Sequence, residues 1–316
     1  MSDQDKLCDV VLEGGGVKGI ALVGALQELE KAGYSRCRVA GTSAGAIVGS
    51  MVAAGMPLSE MTKIMQELDY KKFRDEGFID KLSLPGKTAS FIFEKGVYEG
   101  KYLRDWLYVQ LEKLGVRTFA DLKITEPWAD KLPPEQRYKL VVIVSDVSRG
   151  RMVRLPWDYK DYGLNPDDQL VADAVRASMS IPFFYEPARL EGNYLVDGGL
   201  LSNFPIALFD PVGDWPTFGI KLSARPDANT AMNPVTNPIN YALAIMSTAT
   251  NAHDQMHIDD PCTAMRTIFV DTFAIKATDF DIGKADQARL FESGQAAGKK
   301  FLKDWDYTAY KKVCVR

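Results

Sequence analysis

Apolar residues follow two rhythms along the chain. Short continuous runs predict buried strands at Asp9-Val10-Val11-Leu12, Arg38-Val39-Ala40, 139–145, Tyr194-Leu195-Val196, 218–222 and 267–270. Between them lie stretches of helical spacing. Residues 20–31 place Leu22, Ala25, Leu26 and Leu29 on one face, and Gly33 closes the helix. The Ala- and Gly-rich stretch 44–54 predicts a helix packed closely on a sheet, and Ser59 is the expected cap of another running to about Leu68. Helices are also expected over 101–114, from Asp168 or Asp173 through Ala177, and over 285–303, with a hairpin turn at Arg149-Gly150. The strand–helix–strand–helix order at the amino end predicts an α/β fold with a parallel sheet. Without repeats, low-complexity tracts or a linker, residues 1–316 are expected to form one domain.

Residues 70–100 break this rhythm. Tyr70, Phe73, Phe78, Phe91, Phe93 and Tyr98 are scattered there among Lys71, Lys72, Lys81, Lys87 and Lys95. Aromatics that enter a headgroup layer, with lysines beside anionic lipid, would make the segment a lid or membrane-facing insertion. The competing reading places the phenylalanines in the core.

Composition narrows the function. With 46% hydrophobic and 25% charged residues the chain can bury a sizeable core, and a net charge of −4 argues against a nucleic-acid binder. Cys8, Cys37, Cys262 and Cys314 lie far apart without a C-x-x-C pair. They read as reduced thiols in a reducing compartment, not as a disulfide scaffold or zinc site. The polar start Met-Ser-Asp-Gln-Asp-Lys is not a Sec-type signal peptide, and no apolar run approaches the ~18 residues of a membrane span. The expectation is a cytoplasmic protein that meets a bilayer from outside, with export by a route lacking a Sec signal left open.

Three glycine-centred signals carry the chemistry, each at a predicted strand end. Gly14-Gly15-Gly16-Val17-Lys18-Gly19 fits the dinucleotide pattern G-x-G-x-x-G. That site also wants an acid about 20 residues on, at the end of the second strand, where this chain has Gly41-Thr42-Ser43. Lys18 is followed by Gly19, so the segment is not a Walker loop either. Consecutive glycines can instead expose backbone N–H groups to a developing oxyanion, or simply make a tight turn. Gly41-Thr42-Ser43-Ala44-Gly45 is a G-x-S-x-G between strand and helix, which projects its serine at a helix N-terminus as a nucleophile.

A serine needs a base. The chain has two histidines, His253 and His257, and either could complete a Ser–His–Asp triad. Their spacing of four also matches H-E-x-x-H, but Asp254 stands in place of Glu and no third ligand is evident. The plain alternative is a solvated helix face. Asp197, at a strand end before Gly198-Gly199, offers a base without histidine, provided that burial raises its basicity.

Taken together, Gly14–Gly19, Gly41–Gly45 and Asp197–Gly199 in this order resemble the patatin-like phospholipases. The stretch Arg176-Ala-Ser-Met-Ser-Ile-Pro-Phe-Phe-Tyr-Glu-Pro187 and Asn203-Phe204-Pro205 also resemble that family, over about residues 8–225. The region from Gly96-Val97-Tyr98-Glu99-Gly100 to Asp121 is similar to its bacterial branch, which includes secreted toxin phospholipases. The resemblance implies a three-layer α/β/α sandwich with a mostly parallel central sheet, and a Ser43–Asp197 dyad. It further implies no catalytic metal or cofactor, and an oxyanion hole formed by Gly14, Gly15, Gly16 and Gly19 with Lys18. Thr42 and Ala44 then flank the nucleophile, and Gly198 and Gly199 form the turn after the base. The implied substrate is a phospholipid or lysophospholipid at a peripheral membrane surface. A histidine-triad carboxylesterase and a non-enzymatic nucleotide-binding module are the rivals. The sequence specifies neither head group, acyl position, oligomeric state nor an activator.

Overall fold

The computed structural model describes residues 6–73, 99–210, 215–222, 260–273 and 275–314, with isolated positions at 241, 244, 245 and 248. Both histidines lie outside the described residues, as do 74–98, which hold most of the expected lid. Its two described aromatics are core residues: Tyr70 and Phe73 are 5% and 2% exposed.

Among the described residues eight strands form one sheet. In chain order they are β1 (Lys6–Leu12), β2 (Tyr34–Thr42), β3 (Leu140–Asp146), β4 (Arg151–Leu155), β5 (Ala188–Leu190), β6 (Asn193–Asp197), β7 (Thr217–Lys221) and β8 (Thr267–Phe269). The order is β5-β6-β3-β2-β1-β7-β8, with β4 also on β3. Pairings among β3, β2, β1, β7 and β8 are parallel, and β4, β5 and β6 are antiparallel additions. β3 is buried at every position, as its unbroken β-branched run requires of a strand covered on both faces.

The main helices are α1 (Ile20–Lys31), α2 (Ala44–Ala53), α3 (Leu58–Glu67), α4 (Lys101–Lys113), α5 (Val171–Ser178), α6 (Pro261–Met265), α7 (Lys284–Asp304) and α8 (Tyr307–Cys314). They flank both sides of the sheet, with α1 against α7 and α2 on β2 and β3. Two expected helix starts move. α3 begins after Pro57, one residue before Ser59, because proline pre-sets the backbone there. α5 begins at Val171 with neither aspartate capping it; a bridge between Thr118 and Leu170 fixes its entry.

The cysteine expectation is corrected. Cys262 and Cys314 form a disulfide with Cα atoms 5.2 Å apart, joining α6 to the end of α8. They are 52 residues apart in sequence, so spacing alone could not reveal that the carboxy-terminal helix folds back onto α6. The cysteine argument for a reducing compartment falls with it. Cys8 and Cys37 remain free thiols on β1 and β2.

β1 and β2 are locked at their centre by a buried ion pair. Asp9 and Arg38 are cross-strand partners, with Nε to Oδ1 at 3.1 Å, and the Trp215 indole N–H donates to Asp9 Oδ2 at 3.0 Å. Burial pushes the Asp9 carboxyl up while Arg38 opposes that shift.

α1 and α7 touch backbone to backbone. A Cβ on Gly294 would lie 2.0 Å from the Ala21 carbonyl oxygen, and one on Gly24 would lie 2.2 Å from that of Phe291. Helix propensity alone favours Gly294→Ala by about 1 kcal/mol. The clash opposes it and dominates, because both atoms belong to packed backbone. Gly294→Ala is expected to lower unfolding free energy by about 1–3 kcal/mol in urea titration; a gain would show that the two helices can separate freely.

Candidate active site

Where the glycine signals converge is decided by β3. Along one edge, β3 pairs first with β2, ending at Thr42 opposite Ile143, and then with β6, starting at Asp197 opposite Val144. β4 pairs with residues 142–146 and so occupies the other edge. β2 runs parallel to β3 and β6 antiparallel, so the two strands meet C-terminus to C-terminus. Thr42 and Asp197 occupy adjacent rungs of β3, so Ser43, which follows Thr42, is brought to the same place as Asp197 although 154 positions (197 − 43) separate them in sequence.

Ser43 sits in a strained turn, with φ 53° and ψ −122° at the N-terminus of α2. The turn is tight because small residues allow it. A Cβ on Gly41 would lie 2.2 Å from the Gly45 carbonyl oxygen, and one on Gly45 would lie 2.3 Å from that of Leu12. The Ser43 N–H donates to Ser178 Oγ at 2.8 Å, and Ser178 Oγ donates to the Ile143 carbonyl at 2.6 Å. These two bonds tie the elbow to the end of α5 and to β3.

Asp197 is buried. Its Oδ1 accepts from the Gly199 N–H at 2.7 Å, and its Oδ2 has no hydrogen-bond partner. Burial pushes the carboxyl up to about 6, against lowering by the Gly199 N–H and the Ser43 side chain. The Ser43 hydroxyl is directed at Met179 Sδ, 3.2 Å away. With the hydroxyl so directed, Asp197 Oδ2 accepts no hydrogen bond from it. Gly198 must be glycine here, since a Cβ would lie 2.3 Å from the Ile143 carbonyl oxygen.

Residues 10–210 match the family model described as patatin-like phospholipase. The chain belongs to the patatin-like phospholipase family. This places it among lipid hydrolases. It is 37% identical over 306 residues to the uncharacterized protein YqhO of Bacillus subtilis, covering 95% of this chain and 99% of that one. It is 27% identical over 220 residues to lysophospholipase nte1 of Emericella nidulans, covering 69% of this chain but 12% of that much longer protein. Among solved structures, VipD from Legionella pneumophila shares the fold at TM-score 0.55 and 20% identity, over 95% of this chain and 67% of VipD.

In this patatin-like protein the glycine turn after β1 is pinned from two sides. Gly14 exchanges bonds with Asn203: its N–H donates to the Asn203 carbonyl at 3.3 Å, and Asn203 Nδ2 donates to its carbonyl at 3.2 Å. Gly16 has φ 55°, and the Val17 N–H donates to the Ala277 carbonyl at 3.1 Å. The Gly14 N–H is thus already used, while those of Gly15 and Gly16 have no partner among the described residues. Gly19 is buried at the start of α1. Lys18 is half-buried, its Nζ donating to the Leu222 carbonyl at 3.4 Å. Burial lowers its ammonium pKa, Glu13 opposes this, and Lys221 adds to it. Glu13 in turn holds the Lys221 ammonium and the Leu222 N–H.

Sequence reasoning about the nucleophile, base and turns did not single out Ser178, Met179, Asn203 or the Glu13–Lys221 pair. Ser178, Met179 and Asn203 lie inside the stretches that carried the resemblance, and no local pattern marked their contacts with Ser43 and Gly14.

A carboxylate whose folded pKa is near 6, against about 3.9 unfolded, costs stability wherever it is ionised. The cost is absent below the unfolded value and is fully present once pH has risen through 6. Asp197→Asn should therefore be more stable than the parent by about 2–3 kcal/mol at pH 8, with the difference vanishing near pH 4. Thermal or urea unfolding at both pH values checks this, and an equal difference at both would contradict it.

Proposed function

We propose that the protein is a phospholipase A or lysophospholipase type acyl hydrolase working through a Ser43–Asp197 dyad. The observation that carries the reading is the strained Ser43 turn meeting a buried Asp197 with one unpaired oxygen. Ser43 Oγ attacks the ester carbonyl while Asp197 takes its proton, forming a tetrahedral oxyanion. Its pKa near 6 leaves Asp197 mostly ionised at neutral pH yet more basic than an exposed carboxylate. The Gly15 and Gly16 N–H groups are the proposed oxyanion donors, with half-buried Lys18 adding positive charge nearby. The N-terminal dipole of α2 favours negative charge at Ser43. Collapse of the adduct expels the alcohol, which takes the proton from Asp197, and leaves an acyl-enzyme. Water, deprotonated by the same carboxylate, then releases the fatty acid and restores Ser43. No step uses a metal or a cofactor.

Family membership supports a lipid ester as substrate, and the name of the fungal relative nte1 supports a lysophospholipid among the candidates. Among the described residues no helix is long and apolar enough to cross a membrane. The proposed mode of access, resting on the lipid substrate, is peripheral, with 74–98 as the segment to examine.

Ser43→Ala should abolish hydrolysis of mixed lipid vesicles while preserving the melting temperature, a loss of at least about a thousandfold. Mass spectrometry of released fatty acid and lysolipid reads the outcome and identifies the bond cleaved. His253→Ala and His257→Ala should keep most of the activity. Loss in either histidine variant, with folding intact, would favour the triad esterase instead.

A further inference from the structure

The Ser43 hydroxyl points at a sulfur. Met179 Sδ lies 3.2 Å from Ser43 Oγ, and a thioether is only a weak acceptor. The backbone keeps the two together. The Met179 N–H donates to the Val175 and Arg176 carbonyls at 3.1 and 3.2 Å, closing α5. The preceding residue, Ser178, accepts from the Ser43 N–H at 2.8 Å. Sulfur and serine are thus mounted on one hydrogen-bonded junction, and both residues are buried. Met179 also borders a small cavity with Ala44, Met65 and Phe280, which has room for about one water-sized molecule.

This placement makes the sulfur reachable despite its burial. If Ser43 is the nucleophile, its Oγ must be open to an ester, and a small molecule that arrives there comes into contact with Met179 Sδ. Thioethers are oxidised by peroxide in their neutral form, whereas cysteines react as thiolates. Burial pushes the Cys37 thiol up to about 12 and holds the Cys8 thiol well above its ordinary range, so both stay protonated. Cys262 and Cys314 are already joined to each other. Peroxide that enters beside Ser43 therefore meets an oxidisable thioether.

We propose that Met179 is an oxidation site, at which hydrogen peroxide converts the thioether to a sulfoxide and slows the chemistry of Ser43. An S–O bond forms as the O–O bond breaks; the sulfur is oxidised by two electrons, the peroxide is reduced, and its second oxygen leaves as water. The change turns a flexible apolar side chain into a polar one. The new oxygen is a far better acceptor than the sulfur that the Ser43 hydroxyl already approaches, so it holds that hydroxyl away from Asp197. It also adds an atom to a closely packed junction. The inference rests on Ser43 being the nucleophile.

The test exposes the full-length protein and Met179→Leu to hydrogen peroxide and follows hydrolysis of p-nitrophenyl dodecanoate, each as a fraction of its own starting rate. Leucine keeps the volume and lacks the sulfur. Peptide mass spectrometry maps added oxygen over all 11 methionines. The parent should lose about tenfold in kcat, the size expected of one competing hydrogen bond, in step with sulfoxide at Met179. Met179→Leu should keep its starting rate. The inference is overturned if Met179 stays unmodified, if its oxidation leaves the rate unchanged, or if Met179→Leu is inactivated to the same extent. The first two outcomes are read on the parent alone, so they hold even if the variant folds poorly. Failure of the underlying reading looks different: the untreated parent turns over no ester and a fluorophosphonate leaves Ser43 unlabelled.

Discussion

Two strands that approach each other along a single edge of β3 create the geometry on which everything at this site depends. β2 ends at Thr42 opposite Ile143, delivering Ser43 just beyond it, and β6 delivers Asp197 at the rung of Val144. The Ile143 carbonyl serves both turns: it accepts from Ser178, which holds the Ser43 amide, and it excludes a side chain at residue 198. Since β3 is buried on both faces, neither strand end can shift without disrupting the core. The proposed catalytic geometry therefore comes from sheet register, which is rigid, and not from loops.

Burial then supplies the chemistry that register alone cannot. The Asp197 environment offers Gly199 as a fixed partner for one oxygen and nothing for the other. Desolvation that costs the fold stability at neutral pH is the same effect that raises the basicity the proposed mechanism asks of this carboxylate. Two other buried charge clusters show the contrast. Asp9 is matched by Arg38 and Trp215, and Glu13 by Lys221 and Leu222, so those carboxylates are saturated and structural. Only at Asp197, among these three, is an acceptor left open beside a serine.

Much of this was legible in sequence. Continuous apolar runs marked β1, β2, β3, β6, β7 and β8 because strands covered on both faces need apolar side chains at every position. The G-x-S-x-G turn was readable because its glycines answer to backbone contacts within the β1–β2–α2 unit, and the later strand-end Asp-Gly-Gly could be linked to it through the family resemblance. What stayed hidden has a common cause. Cys262 with Cys314, Ser178 with Ser43, and Asn203 with Gly14 are each partners brought together by topology, with no local pattern to announce them. Helix starts slipped where a proline or a bridge, not a polar cap, sets the entry, as at Pro57 and Leu170. Whether Phe73 belonged to the core or to a membrane-facing segment stayed open in sequence because its contacts, across to Tyr102 and Trp106 of α4, are not sequential.

The central claim is that a buried carboxylate, and no histidine, activates Ser43. The most direct measurement is the rate of Ser43 modification by a fluorophosphonate as a function of pH, in the parent and in Asp197→Asn. The parent rate should fall as pH drops through about 6, following protonation of Asp197, while Asp197→Asn should react slowly with no inflection there. A rate in Asp197→Asn equal to that of the parent, with the same acid limb, would contradict the account.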